Sequence, residues 1–385
     1  SLLDPVMAAA THNLPTVSYE SITTSLLPAH YFYDSEHYAR EEKLIFERSW
    51  MSVGHASLIP KPGDYMVRGV GSQEIIVLRD NEGEVRAYYN VCRHRARELL
   101  QDKGNIKRIT CPYHGWTYDL SGDLLHARNS ENVPGFDKSC WGLSPVRLER
   151  IGGFLYVCLD PNTPSMREMY DGLHKDVEDL EPELDDLVHS HQMVFDIACN
   201  WKIATENFLE AYHIRMVHPM MYEAFDMSKY YWEMHEFYTN LTTFARVNEG
   251  MEIYDWNESE RTDLPGYWVW PMFCFERMPG RAGLFTYNHV PMGPERTLCV
   301  VDFYYVDPKL TEEDRNEIAY VDQIRREDLV SLEAVQRGIS SKGWGKGPYM
   351  VGPNVTAELT EHAIMHFHQV VQRYLEPNGN RMPER

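Results

Sequence analysis

Two short stretches of this chain each pair a thiol with an imidazole. Cys92 and His94 stand one residue apart, and after sixteen intervening residues Cys111 and His114 stand two apart. Thiolates are soft ligands that hold iron in iron–sulfur clusters, and a cluster in which two imidazoles replace two thiolates on one iron is a Rieske centre with a raised reduction potential. The residue types and spacing therefore predict an electron-transfer site of the [2Fe-2S] Rieske kind at Cys92, His94, Cys111 and His114. The second stretch reads Cys111-Pro112-Tyr113-His114-Gly115-Trp116-Thr117-Tyr118. There Pro and Gly bend the backbone around a metal, while Tyr and Trp shield it from water. Zinc knuckles of mixed type usually separate their paired ligands by two or more residues, a habit the Cys92/His94 pair does not share.

A second group of metal-capable side chains lies downstream. Asn200-Trp201-Lys202 leads into Glu206-Asn207-Phe208-Leu209-Glu210-Ala211-Tyr212-His213, and His218-Pro219 follows. Two imidazoles close in sequence can serve one metal, but in a chain with 17 His such a pair is weak evidence alone. A carboxylate would complete the two-His, one-carboxylate set that leaves open positions on iron(II) for oxygen. Asp328, within Arg325-Arg326-Glu327-Asp328-Leu329, is the candidate, although a predicted helix there equally allows a surface acid in an ion-pair ladder. Glu210, three residues before His213, can stand beside a metal without ligating it, and Asn207 is a further candidate catalytic residue.

In their order and separations, these motifs resemble the catalytic subunit of the Rieske non-haem iron oxygenases. The likeness runs from about Tyr31 to the last predicted helix. It implies an α+β fold, with an N-terminal Rieske antiparallel β domain and a C-terminal helix-grip-type (START-like) catalytic domain of antiparallel sheet and helices. The implied organisation is an N-terminal segment at 1–48 packing on the catalytic domain, a Rieske domain at 49–162 and a mononuclear-iron domain at 163–385. Cys92 and Cys111 would bind one cluster iron and His94 and His114 the other, while His213, His218 and Asp328 would hold a mononuclear Fe(II). At the place of Glu210 the family carries an acid, most often Asp, that links the cluster His of one subunit to the iron site of its neighbour in a homotrimer. Glu at this place, the segment Glu327 to Ile339 with Gly343, and Glu361-His362 to Phe367-His368 are similar to the carnitine and choline monooxygenase branch.

That resemblance implies a terminal oxygenase taking O2, and electrons from a separate NAD(P)H reductase of flavin or ferredoxin type. It would hydroxylate a quaternary ammonium or N-methylated substrate of carnitine, choline or betaine type, often with C–N cleavage. An aromatic-ring hydroxylating dioxygenase alpha subunit, which uses the same metals, is the alternative. The chain carries no nicotinamide or flavin fingerprint and no plant-type ferredoxin cysteine cluster, in keeping with a separate electron donor. Phe208, Tyr212, Trp268, Trp270, Phe275 and Tyr287 could offer ring faces to a methylated ammonium, or could simply be core. Arg277 and Arg281 could bind a substrate carboxylate or neutralise neighbouring acids.

The elements that must position these groups are legible as texture. Ser35 to Phe46 has helical spacing; from Trp50 onward, short segments rich in Val, Ile and Tyr, such as Asp64–Arg68, Glu74–Leu78, Val85–Tyr89 and Gly153–Leu159, read as antiparallel strands. Helical patterns follow at Met166–Leu180 and Ala204–His213, strands at Phe285–Val290 and Cys299–Tyr305, then helices at Thr311–Val335 and Glu358–Leu375. His362 and His366 are spaced like zinc ligands on a helix, but a packed helix is the expectation; Gly343–Gly347 reads as a loop rather than a phosphate cradle. A formal charge of −21 argues against nucleic acid as a partner, and the acidic run Glu178–Asp186 reads as solvated. No apolar run is long enough for a bilayer, and Ser1–Leu14 lacks a secretory pattern, so a cytoplasmic protein without a membrane partner is expected. Cys140, Cys158, Cys199, Cys274 and Cys299 have no framework spacing and read as reduced thiols.

Overall fold

The computed structural model describes residues 22–178, 180, 184–246, 262–277 and 283–376. Arg281, the first 21 residues, and positions 179 and 181–183 of the acidic run lie outside the described residues. The chain divides into two compact units, Phe46–Met166 and Ser1–Ile45 with Arg167–Arg385. The divisions fall at Ile45 and Met166, a few residues from the 48 and 162 expected from sequence.

In the unit Phe46–Met166, ten strands form three small antiparallel sheets. One has the order β4-β3-β2-β5, built from β2 (Asp64–Val70), β3 (Gln73–Arg79), β4 (Val85–Tyr89) and β5 (Lys103–Asn105). A second joins β1 (Met51–His55), β10 (Phe154–Cys158) and β9 (Arg147–Ile151), and the third joins β6 (Ile109–Thr110), β7 (Thr117–Tyr118) and β8 (Leu124–His126). The β2–β3 hairpin turns through Gly71, whose φ of 55° is the left-handed region a two-residue turn favours, and this sets Val70 opposite Gln73. Ile75 to Leu78 are all buried, so β3 reads as a continuous apolar run rather than an alternation. Ile76, Leu78, Tyr88, Leu99, Ile109, Tyr118 and Leu120 form one core that also contains Cys92 and Cys111. The two candidate thiolate ligands are thus set into the apolar centre of the unit.

The other unit is a seven-stranded antiparallel sheet with helices. Its order is β11-β17-β16-β15-β14-β13-β12, with β11 (Val188–Ile197), β12 (Tyr231–Met234), β13 (Tyr238–Phe244), β14 (Asp263–Val269), β15 (Phe273–Arg277), β16 (Gly283–Gly293) and β17 (Arg296–Tyr305). The helices that matter are α1 (Ser35–Leu44), α2 (Trp201–Phe208), α3 (Glu312–Ile339) and α4 (His362–Leu375). Thr311 and Asp314 form a capping box that starts α3. Val321, Ile324, Asp328, Leu332, Gln336 and Ile339 then form its buried stripe at helical spacing. Asp328 therefore occupies a core position of the helix, which removes the surface ion-pair ladder as its setting.

Two helical expectations need correction. Met166–Leu180 is broken at Gly172, whose φ is +97° and where an added Cβ would lie 2.7 Å from the Tyr238 hydroxyl, so only short helices at Met166–Met169 and Leu173–Glu178 form. The helix expected over Ala204–His213 stops at Phe208, and the chain turns through Glu210 to Tyr212 before His213. Helix α1 is tied to α2 by a buried carboxylate: Glu41 accepts from Lys202 Nζ at 2.5 Å and Trp201 Nε1 at 2.8 Å. Gln336 of α3 accepts the Asn200 N–H at 2.8 Å and donates to the Phe32 carbonyl at 3.0 Å. These bonds lock the start of α2 against α3, and with it the segment that carries the candidate ligands.

Candidate metal centres

In the Phe46–Met166 unit the first centre sits on two loops that each fold back on themselves. The Cys92 N–H donates to the Arg97 carbonyl at 2.8 Å and the Ala96 N–H to the Cys92 carbonyl at 3.1 Å. The second loop repeats the device between Cys111 and Trp116 at 2.7 Å and between Gly115 and Cys111 at 3.0 Å, with Gly115 at φ 74°. Cys92 and Cys111 are buried, whereas His94 is exposed and His114 half-buried. The two imidazoles converge, with Nδ1 facing Nδ1 at 3.2 Å, and His94 stacks on Trp116 with ring centres 5.0 Å apart. Two thiols held inside and two ring nitrogens aimed at one point suit a cluster buried on its sulfur side and open on its imidazole side. Tyr118 completes the pocket. Its hydroxyl accepts the Arg93 N–H at 3.1 Å and lies 3.3 Å from Cys92 Sγ, where a cluster-bound thiolate, having no proton of its own, would accept from it.

In the other unit, His213, His218 and Asp328 place one ligand atom each within 4.8 Å of one another. The turn after α2 delivers His213; Pro219 follows His218 and opens a short helix at Pro219–Ala224; α3 delivers Asp328. His218 Nε2 lies 2.8 Å and His213 Nε2 3.6 Å from Asp328 Oδ1. On the far side of each ring stands a carboxylate: Glu327 Oε2 lies 2.7 Å from His218 Nδ1, and Glu210 Oε1 pairs with His213 Nδ1. An Nδ1–H donated to a carboxylate fixes the ring orientation that turns Nε2 inward, so that a metal bound beside Asp328 would meet the Nε2 lone pair in place of a proton. Asn207 Nδ2 donates into the same space, to His213 Nε2 at 3.3 Å and Asp328 Oδ1 at 3.2 Å. Two imidazole lone pairs and a carboxylate converging beyond two fixed Nδ1 protons suit a divalent metal.

Charge is balanced locally. Burial works to raise the Asp328 carboxyl, but the Arg325 guanidinium, with Nη2 2.7 Å from Oδ2, and His218 overcome it and hold the carboxyl at about 2. Burial likewise disfavours the His218 imidazolium, and Asp328 with Glu327 outweighs it, leaving that group above its ordinary value.

Residues 184–377 match the ring hydroxylating alpha subunit (catalytic domain) family, and residues 49–137 match the Rieske [2Fe-2S] domain family. The carnitine monooxygenase oxygenase subunit of Escherichia coli (strain K12) is 34% identical over 348 residues, covering 90% of this chain and 92% of that protein. The chain belongs to the Rieske non-haem iron oxygenases. Choline monooxygenase of Spinacia oleracea is 30% identical, over 91% of this chain and 78% of that one. A crystal structure of a quaternary ammonium Rieske monooxygenase in complex with L-carnitine superposes with a TM-score of 0.82 at 30% identity, covering 92% of this chain and 96% of that one. Naphthalene 1,2-dioxygenase from Rhodococcus shares the fold, with a TM-score of 0.77 at 21% identity over 91% of this chain and 94% of that one. As a Rieske oxygenase the chain is an oxidoreductase whose cofactors are a [2Fe-2S] cluster and a mononuclear iron, working with O2, a substrate and a separate reductase.

The structure does not gather the six aromatic residues into one cage. Phe208 and Tyr287 lie together, ring centres 6.0 Å apart. Trp268 and Trp270 are fully buried around Phe367 of α4, which explains them as core. Phe275 alternates with Glu276 along β15 and stacks on Tyr267 at 4.9 Å, on the sheet face opposite Tyr287. Tyr212 is 45% exposed, because the turn that presents His213 swings its neighbour outward. His362, His366 and His368 diverge, toward Thr360 Oγ1, the Glu236 carbonyl and Glu206 Oε1. The residues 343–347 lie in turn and loop, and the Gly347 carbonyl accepts the Ser25 N–H. Glu327 and Arg325, quoted in the sequence only as neighbours of Asp328, have roles that spacing alone could not assign. Their positions one and three residues before a metal-capable acid were the available signal.

Proposed function

We propose that this chain is the terminal oxygenase that hydroxylates a quaternary ammonium compound of the carnitine or choline class at a carbon next to nitrogen. The observation that carries the reading is the match over nine-tenths of the chain to a carnitine monooxygenase oxygenase subunit at 34% identity. An aromatic substrate has only the shared fold in its favour, at 21% identity. In this reading Cys92, Cys111, His94 and His114 hold the cluster, and His213, His218 and Asp328 hold the mononuclear iron. When bound, the cluster supplies electrons singly and the iron supplies open coordination positions for dioxygen.

The chain's own residues do the rest. Glu210 and Glu327 hold the Nδ1 protons of the two imidazoles so that both Nε2 lone pairs stay turned inward. Arg325 offsets the charge of Asp328, and Tyr118 directs its hydroxyl proton at the Cys92 sulfur. Phe208 and Tyr287 offer ring faces beside the site. Hydroxylation beside nitrogen gives a carbinolamine, which collapses to an aldehyde and a tertiary amine. We further infer a homotrimer in which Glu210 meets the cluster His of a neighbouring subunit, a cytoplasmic setting, and a flavin- or ferredoxin-type NAD(P)H reductase as donor. Among the described residues no helix is long and apolar enough to cross a membrane.

The test is NADH oxidation coupled through a generic reductase, run on carnitine, γ-butyrobetaine, choline and betaines against aromatic acids and hydrocarbons, with products identified. The reading expects aldehyde and tertiary amine from a quaternary ammonium compound. Turnover of aromatics alone would contradict it.

A further inference from the structure

One carboxyl group of the catalytic unit stands apart from the residues that surround His213, His218 and Asp328. Glu276 lies on β15, and the register Gly266–Glu276–Phe285 puts it, together with the Cys274–Tyr287 pair, on the sheet face that Tyr287 shares with Arg325 of α3. Gly266 makes room for it: a Cβ there would stand 3.1 Å from Glu276 Cγ and 3.2 Å from Oε1. The side chain keeps part of its surface open, yet the surrounding protein desolvates it and pushes its carboxyl up to about 7.

Its neighbours are two aromatic rings and one guanidinium. Phe285 lies opposite it across the strands, and Tyr287, whose ring meets that of Phe285 edge-on at 5.2 Å, follows on the same face. Arg325 is the nearby cation, but it is engaged elsewhere: Nη2 pairs with Asp328 Oδ2 at 2.7 Å, and Cζ lies 4.4 Å from the centre of the Tyr287 ring. Among the described residues Glu276 makes no ion pair. A desolvated carboxylate without a counter-ion is costly unless a cation joins it. A quaternary ammonium has no N–H to donate, so charge and aromatic faces are the means by which a protein can hold it. Glu276 with Phe285 and Tyr287 offers that combination, and Arg325 connects it to Asp328.

We infer that Glu276 is the counter-ion of the substrate's ammonium group, seated beside Phe285 and Tyr287 on the face of the sheet that looks toward α3. This rests on the quaternary ammonium reading and assigns the residue that selects the charge.

The experiment uses the iron-loaded holoenzyme, wild type and Glu276→Gln, titrated calorimetrically with L-carnitine, γ-butyrobetaine and choline, and with 3,3-dimethylbutan-1-ol, the uncharged carbon isostere of choline. Loss of a desolvated charge partner should weaken binding of the cation roughly thirtyfold or more and leave binding of the isostere unchanged. KM should rise more than kcat falls, and Glu276→Asp should restore most of the affinity. Iron content and the cluster spectrum serve as controls; if Glu276→Gln loses either, Glu276→Asp decides by whether its preference for cation over isostere tracks the retained charge. Equal binding of cation by wild type and Glu276→Gln, or equal loss of cation and isostere, would overturn the Glu276 assignment alone. A wild-type enzyme that binds none of the three cations would overturn the substrate reading and this assignment together.

Discussion

Replacing Glu327 by Gln should loosen the mononuclear iron without touching any of its three proposed ligands. Glu327 Oε2 lies 2.7 Å from His218 Nδ1, and Gln323 Nε2 orients the other oxygen at 2.9 Å. A hydrogen bond to a charged acceptor contributes about 1.5–3 kcal/mol, and the lower end applies because the Glu327 side chain is 28% exposed. The amide of Gln keeps a neutral acceptor, so roughly 1.4 kcal/mol should be lost, a tenfold weaker iron affinity at the modest end of outer-shell effects. The assay is retention of iron against a graded series of a ferrous chelator, with the visible spectrum of the cluster as internal control. The variant should release its mononuclear iron at about tenfold lower chelator while the cluster spectrum holds. Retention identical to wild type would refute the argument that Glu327 fixes the His218 ring orientation. Loss of both kinds of iron together would show that the substitution had damaged the protein instead.

Tyr118→Phe removes the proton directed at Cys92 Sγ from 3.3 Å. Because a reduced cluster carries more negative charge and gains more from that donor, the potential should fall, by roughly 40 mV if the difference is about 1 kcal/mol; a redox titration showing no shift would contradict this. Asp80 is buried and held below the usual carboxylate range, because Arg86 and the N–H groups of Glu84 and Glu82 outweigh its burial. A lowered folded pKa adds stability that is present in full above the ordinary Asp value and is lost as pH falls through the folded one. Asp80→Asn should therefore lower the stability of its unit by about 2 kcal/mol at neutral pH. The gap in Tm to wild type should close as the pH falls below the ordinary Asp value of 3.8, and a gap that persists into acid would contradict the assignment.

The cluster loops could be read from sequence because ligand chemistry constrains spacing tightly: Cys92, His94, Cys111 and His114 have few alternative uses in that arrangement. Strands β3 and β4 were legible because their apolar runs are bounded by turn residues, whereas β5 is an exposed Lys-Gly-Asn triplet with no apolar signal at all. Asp328 was ambiguous because a helical acid looks the same whether it faces solvent or core. The buried stripe of α3 resolves it, and that stripe is fixed by packing against the sheet. The aromatic residues misled for the opposite reason: Trp268, Trp270 and Phe275 are cage-like in composition, but alternation along β14 and β15 and the position of Phe367 decide which rings face the site. Glu276, which alternation places on the site's face, carried no motif.

The account stands on electrons passing from the cluster to an oxygen-activating iron that hydroxylates a quaternary ammonium compound. A single turnover tests it most directly: the oxygenase is reduced, freed of reductase and excess reductant, and exposed to dioxygen with L-carnitine or choline. Cluster reoxidation, read from the visible spectrum, should then rise in step with aldehyde product across increasing extents of reduction. Complete reoxidation of the cluster with no oxygenated product from either compound would contradict it.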